Sequence, residues 1–283
     1  VEIKNELVED YEDYCHQKLI NEFGNYKNGS HGPMHLYHRF KYRIIDARPR
    51  EIIEPPNFFI PQEHLSAYRK IISDIETGNS LNKYQSRNLK RLDYDDDMLS
   101  HWRIQHLHLG QNLESDGFVS RTSDLLFIHF SDNKAHIIGF FSHGDWCDLD
   151  IIETIHENWP DLLVKYKCET GGKVLTEEEY QILRSKNCNV TVRVHDGTEY
   201  YPPGLGVVSN GSPLQAIMNV QQVLFNFENK FNEISMNINQ ILEADPQKRI
   251  TEIATIGLEM DEVNHRFVYK IKETGHRFTL DYE

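Results

Sequence analysis

The sequence predicts an α+β protein: a twisted antiparallel sheet with flanking helices, one long C-terminal heptad helix and a terminal β-meander. Three observations carry this. Ile217, Val220, Leu224, Phe227, Phe231, Ile234, Ile238 and Ile241 alternate three and four apart, which is a heptad stripe. Two strand-like apolar runs, 125–130 and 135–141, flank the tight-turn sequence Ser131-Asp-Asn-Lys134 and read as a hairpin. Three closing runs, 253–260, 266–272 and 276–282, read as consecutive strands.

Taken in order, residues 1–23 read as a helix through Leu7, Tyr11, Tyr14 and Leu19 on an acidic background. A turn-rich break spans 25–33, and 40–45 has extended character. The Pro55–Pro61 run cannot be helical. Leu65, Tyr68, Ile71 or Ile72, and Ile75 predict a helix that Gly78 ends. Ile104–Leu109 is a short alternating strand ahead of the hairpin, and Leu149–Ile155 starts a helix that Trp159-Pro160 ends. The stretch 168–206 is a less periodic connector. It holds a capping-box start at Thr176–Glu179, a short strand at 190–194 and a rigid loop at Pro202–Gly206. Ser212 and Pro213 are an N-cap and a first-turn proline for the heptad helix, and Asp245-Pro246 stops it. The predicted organisation is a mostly helical region (1–97), a central β core (98–167), a connector (168–211), and the long helix with the meander (212–283).

The 44 acidic and 30 basic residues leave a formal charge of −14, which works against loose association with nucleic acid or anionic lipid. Cys15, Cys147, Cys168 and Cys188 lie far apart with no CxxC pair, the pattern of free thiols in a reducing, cytoplasmic compartment. No apolar run approaches the roughly 18 residues a membrane helix needs.

Chemistry is expected between 101 and 146, which holds six of the 15 histidines. Strand alternation places His106 and His108 on one face and Leu107 and Leu109 on the other. Two imidazoles so placed serve as acid and base, or as metal ligands; a satisfied structural pair is the bland alternative. Arg121 leads into the hairpin and is able to grip a phosphate through two parallel hydrogen bonds, unless it pairs locally with Asp124. His143 ends the second hairpin strand beside Gly144. Asp145 is placed to orient an imidazole, and Trp146 to stack a base or fill core. Lys83, Arg87, Lys90 and Arg91 are either a solvated face or a phosphate-contacting edge, and the acidic run 93–97 reads as a solvated face. His129 and His136 read as strand residues, and His101 has no assigned role. No phosphate-binding glycine loop, HExxH, GxSxG or dinucleotide fingerprint occurs.

The pattern of Arg121-Thr-Ser-Asp-Leu-Leu-Phe-Ile-His-Phe130 and Ala135-His-Ile-Ile-Gly-Phe-Phe-Ser-His143 resembles the core of the RelE-like toxins, small metal-independent endoribonucleases. In those cores an arginine leads into a hairpin whose second strand ends near a catalytic histidine or arginine. The resemblance covers 104–146 of 283 residues, and the chain departs from it in being long and acidic. It implies RNA as substrate, no cofactor, and a toxin–antitoxin or phage-defence setting. His106 or His108 would deprotonate the ribose 2′-hydroxyl, His143 would protonate the leaving oxygen, and Arg121 would stabilise the phosphoryl charge. A second reading is a metal-dependent hydrolase, with Zn²⁺ or Mn²⁺ on His106, His108 and a carboxylate such as Asp145. A third is a non-catalytic oligomeric module that self-associates or binds a protein partner through the 217–241 face. Its oligomer would dissociate when Phe227 and Phe231 become polar.

Overall fold

The computed structural model describes residues 1–27, 31–247 and 252–280. In chain order the N-terminal elements are β1 (Glu2–Asn5), α1 (Leu7–Phe23), α2 (Pro33–Arg43), β2 (Glu51–Ile53), α3 (Leu65–Thr77) and α4 (Asp97–Trp102). Next come β3 (Gln105–His108), β4 (Asp124–Phe130), β5 (Lys134–Ser142), α5 (Asp150–Asn158), β6 (Lys167–Cys168) and α6 (Glu177–Arg184). The chain closes with β7 (Val192–Arg193), β8 (Glu199–Tyr200), α7 (Leu214–Ala244), β9 (Ile253–Asp261), β10 (Arg266–Ile271) and β11 (Arg277–Phe278). The fold is a mixed α+β arrangement with a long C-terminal helix and a C-terminal strand cluster. It forms two compact units: Val1–His38 with Ile217–Glu283, and Arg39–Ala216. The expected boundaries at 97, 167 and 211 all fall inside the second unit.

The first unit is built on a sheet ordered β1-β9-β10-β11. β9, β10 and β11 pair antiparallel in sequence, and β1 adds parallel to the free edge of β9, so the sheet is mixed. β1 lies where a continuous helix is expected. Its four residues are ordered by the β9 ladder, a non-local partner that no sequence window contains. The expected third closing strand extends into 281–282, outside the described residues. Leu7, Tyr11 and Cys15 of α1 share a core with Phe227, Ile234 and Ile238 of α7 and with Ala254, Ile256 and Leu258 of β9. The heptad stripe therefore faces its own unit. Val220, Leu224, Phe231 and Ile241 are partly buried against the same core, so much of the surface expected to pair with another chain is in contact within the unit. The exposed apolar residues left on α7 are Met218, Phe225 and Met236.

The second unit holds a sheet ordered β2-β5-β4-β3, with β4–β5 as the expected hairpin, β3 antiparallel to β4 and β2 parallel to β5. Both faces are buried, because successive residues of the continuous apolar runs point to opposite sides of the sheet. Leu107, Leu126, Ile128 and Ile137 pack with Tyr68, Ile71 and Ile75 of α3. Leu125, Phe127 and Ile138 pack with Ile151, Ile152 and Ile155 of α5. A small sheet β6-β8-β7 adjoins this second core through Val192 and Tyr200. Residues 40–43, expected to be extended, belong to helix α2, whose first residue Pro33 lacks only an N–H that would go unbonded there. α6 begins with the expected capping box, Thr176 and Glu179.

Candidate functional site

β3 delivers its two histidines to one face, as alternation predicts. Both are buried, His106 at 6% and His108 at 2% exposure. Their surroundings then separate them. The His106 ring packs 4.8 Å from Trp146, and its Nδ1 lies 3.6 Å from the Asp96 carboxylate with no hydrogen-bond partner. The His108 Nδ1 accepts the Thr122 N–H at 3.4 Å, which ties β3 to the entry of β4. Burial, then the charges of His106 and Arg121, hold the His108 imidazole down to about 4, so it is neutral at neutral pH.

His106, Arg121, His143 and Trp146 line one cavity of about 290 Å³. Four residues chosen from sequence thus meet around a common space. His108 stands off that lining, with its ring 6.5 Å from that of His143. His143 is exposed and held by its own N–H, which donates to the Ser123 carbonyl at 2.7 Å. Trp146 lines the cavity and also stacks at 6.0 Å on the core residue Phe127, as the core-filling alternative expects. Arg121 makes no ion pair among the described residues; Asp124, its expected local partner, bonds His64 instead at 3.0 Å. Asp145 is used differently from the expectation. Its carboxylate accepts the Ser142 N–H at 2.8 Å and closes the turn after β5.

Asp95, Asp96 and Asp97 also line this cavity. Asp95 takes a bidentate grip from Arg39, at 2.6 and 3.1 Å, and Asp96 caps α4 by accepting the Leu99 N–H at 3.0 Å. Burial, then the Asp96 charge, raises the Asp97 carboxyl. Within the acidic run, Asp95 and Asp96 are therefore structural, whereas Asp93 and Asp97 stay exposed as a solvated face would have them. The basic run is neutralised locally. Lys83 pairs with Asp74 at 2.8 Å, Arg87 with Glu114 and Asp116 at 2.5 and 2.6 Å, and Arg91 with Asp93 at 3.1 Å. Lys90 donates to the Asp116 carbonyl at 2.7 Å. A phosphate on this edge would have to compete with each of those acceptors.

A second constellation lies outside the histidine-dense segment. Glu153 and Glu157 share a face of α5 at helical i, i+4 spacing, and His195 sits on the turn between β7 and β8. Their ligand atoms all lie within 4.8 Å of one another. The Glu153 carboxylate accepts both the His195 N–H and a hydrogen bond with the ring Nδ1, each at 2.6 Å, and this contact raises the His195 imidazole above its ordinary value. His156, on the same helix, is hydrogen-bonded at Nδ1 to the Tyr200 hydroxyl (2.8 Å) and lies 3.2 Å from the Asp196 carboxylate at Nε2. The local signal was Glu-x-x-His-Glu on a helix, but its completion by His195 depends on the tertiary fold. No helix among the described residues is long and apolar enough to cross a membrane. No protein-family model, curated protein or solved structure matches the chain.

Proposed function

We propose that this protein is a metal-dependent hydrolase that holds Zn²⁺ or Mn²⁺ on Glu153, Glu157 and His195. The observation that carries the reading is the convergence of two carboxylates and one imidazole within 4.8 Å. Imidazole with carboxylate suits either ion, and two carboxylates balance a divalent charge. Three protein ligands leave a position for water, whose pKa falls towards about 7 on a catalytic zinc. His156, its ring 6.3 Å from that of His195, has both ring nitrogens engaged by Tyr200 and Asp196 and would act as a neighbour of the ligand set. The triad first expected, His106, His108 and Asp145, supports the reading less well, because its ligand atoms do not converge within 4.8 Å as those of Glu153, Glu157 and His195 do.

Calorimetric titration of tag-free protein with MnCl₂ or ZnCl₂ tests this, alongside hydrolysis of p-nitrophenyl esters and phosphoesters with and without EDTA. Stoichiometric binding, lost in the Glu153→Gln/Glu157→Gln protein, and EDTA-sensitive turnover are expected. Absence of binding at millimolar metal overturns the proposal.

The metal-free endoribonuclease remains a second reading, favoured by the shared cavity of His106, Arg121, His143 and Trp146. In it His106 takes the 2′-hydroxyl proton, and the 2′-oxygen attacks phosphorus. The 5′-oxygen leaves with a proton from His143, giving a cyclic phosphate. RNA cleavage in EDTA, lost in His143→Ala, supports this reading; intact RNA rejects it.

A further inference from the structure

We propose that a separate cleft in the second unit, bounded by the 202–206 loop and by Lys165 and Tyr166, binds an aromatic organic phosphate of mononucleotide size. Its volume is about 580 Å³, and its lining shares no residue with the histidine cavity. Pockets that hold small organic ligands run from about 300 to 1,000 Å³. The charge of this cleft is opposite to that of the chain. No aspartate or glutamate lines it, whereas Arg103 and Lys165 do. Neither cation has an ion-pair partner among the described residues, unlike Lys83, Arg87 and Arg91. Both also project their charge onto one neighbour: burial, then Arg103 and more weakly Lys165, hold His129 down to about 3.

The rest of the lining suits a flat apolar body. Tyr201 is 55% exposed at the cleft, next to Pro202 and near Leu205, while Tyr166 carries Lys165 Nζ 5.0 Å above its ring. Asn189 has its amide committed at both ends to the Val207 backbone, at 2.8 Å each, so recognition of charge falls to Arg103 and Lys165.

The 202–206 loop at the rim of the cleft is anchored by backbone hydrogen bonds. Gly204 and Gly206 donate their N–H groups to the carbonyls of His101 and Ser100, at 2.9 and 2.8 Å, which pins the loop onto the end of α4. Arg103 and Leu205 both hold left-handed backbone, at φ 60° and 69°. That conformation is costly for a side-chain-bearing residue and persists where the surroundings impose it, often at binding sites. A rim fixed in this way spares a ligand the cost of ordering it.

The test is calorimetric titration with AMP, using inorganic phosphate as the control, on the full chain. Stoichiometric AMP binding is expected, with phosphate at least about tenfold weaker, because stacking on a tyrosine contributes about that factor. Arg103→Gln/Lys165→Gln should weaken AMP binding by about tenfold or more, as charge-assisted hydrogen bonds do, while far-UV circular dichroism stays unchanged. Tyr201→Ala should lose about tenfold for AMP and nothing for phosphate. No AMP binding at millimolar concentration, equal binding of phosphate, or undiminished binding by the double variant would each overturn the proposal. Glu153→Gln/Glu157→Gln should leave AMP affinity unchanged, which separates this site from the metal cluster.

Discussion

Ile234 and Met236 are two residues apart on α7 and occupy opposite environments. Ile234 is fully buried, whereas Met236 is 83% exposed. Truncating each to alanine asks whether the heptad stripe is an internal core or an open seam. Ile234→Ala loses the burial of most of an aliphatic side chain, about 1.5–3 kcal/mol, plus a cavity term that brings such changes to about 2–5 kcal/mol. Alanine's better helix propensity returns a few tenths. A net loss of about 3 kcal/mol is therefore expected from urea denaturation followed by circular dichroism. Met236→Ala should stay within about 0.5 kcal/mol of the parent, because it removes surface that is already in water. Light scattering should report the same mass for all three proteins. Small, equal effects from both changes, or a lower mass for Ile234→Ala with unchanged stability per protomer, would refute the internal packing of the stripe.

Acidification should destabilise the protein from near pH 6.5 downwards. Burial holds His101 and His129 to about 3 and His108 to about 4, so the folded chain keeps them neutral while the unfolded chain protonates them. Their contribution is complete above about pH 6.5 and is lost at about 1.4 kcal/mol per pH unit for each as pH falls, and urea midpoints that stay flat down to about pH 5 would contradict it. A second acid limb belongs to Glu199. Arg193, then the Thr170 N–H and hydroxyl, depress its carboxyl to about 2, so that contribution is present above about 4.5 and lost on the way down to about 2. Glu199→Gln should flatten that limb in acid titrations followed by fluorescence. Gly204→Ala should cost about 1–3 kcal/mol and reduce AMP binding, since a Cβ there would fall on the Leu99 and Ser100 carbonyl oxygens; unchanged melting and affinity would contradict the pinned loop. Thr176→Ala should cost about 1 kcal/mol in urea melts through loss of the α6 cap.

Local pattern was a good guide wherever the deciding forces are local. Gly78 ends α3 in a left-handed conformation, Thr176 and Glu179 form their capping box, and 125–130 with 135–141 forms its hairpin. Period-two alternation also brought His106 to the cavity, and the position of Arg121 before β4 and of His143 at the end of β5 brought them to the same space. What local pattern missed was partnership at a distance. Asp95 and Asp96 read as one more solvated acidic run, yet Arg39 and the α4 N-terminus claim them. The basic run read as a solvated face or a phosphate edge, yet acids on 74, 114 and 116 reach it.

By itself, then, the sequence determined the α+β class, the long helix, the hairpin and the faces on which the histidines lie. These follow from backbone periodicity and capping, which act within a few residues. Tertiary structure decided what each face meets. It turned the heptad stripe inward onto α1 and β9, because burying that stripe within the unit removes it from water without a partner chain. It brought His195 to Glu153 and Glu157, and it left Arg103 and Lys165 together on a cleft without carboxylates. Such encounters depend on which side chains the closed fold places a few ångströms apart.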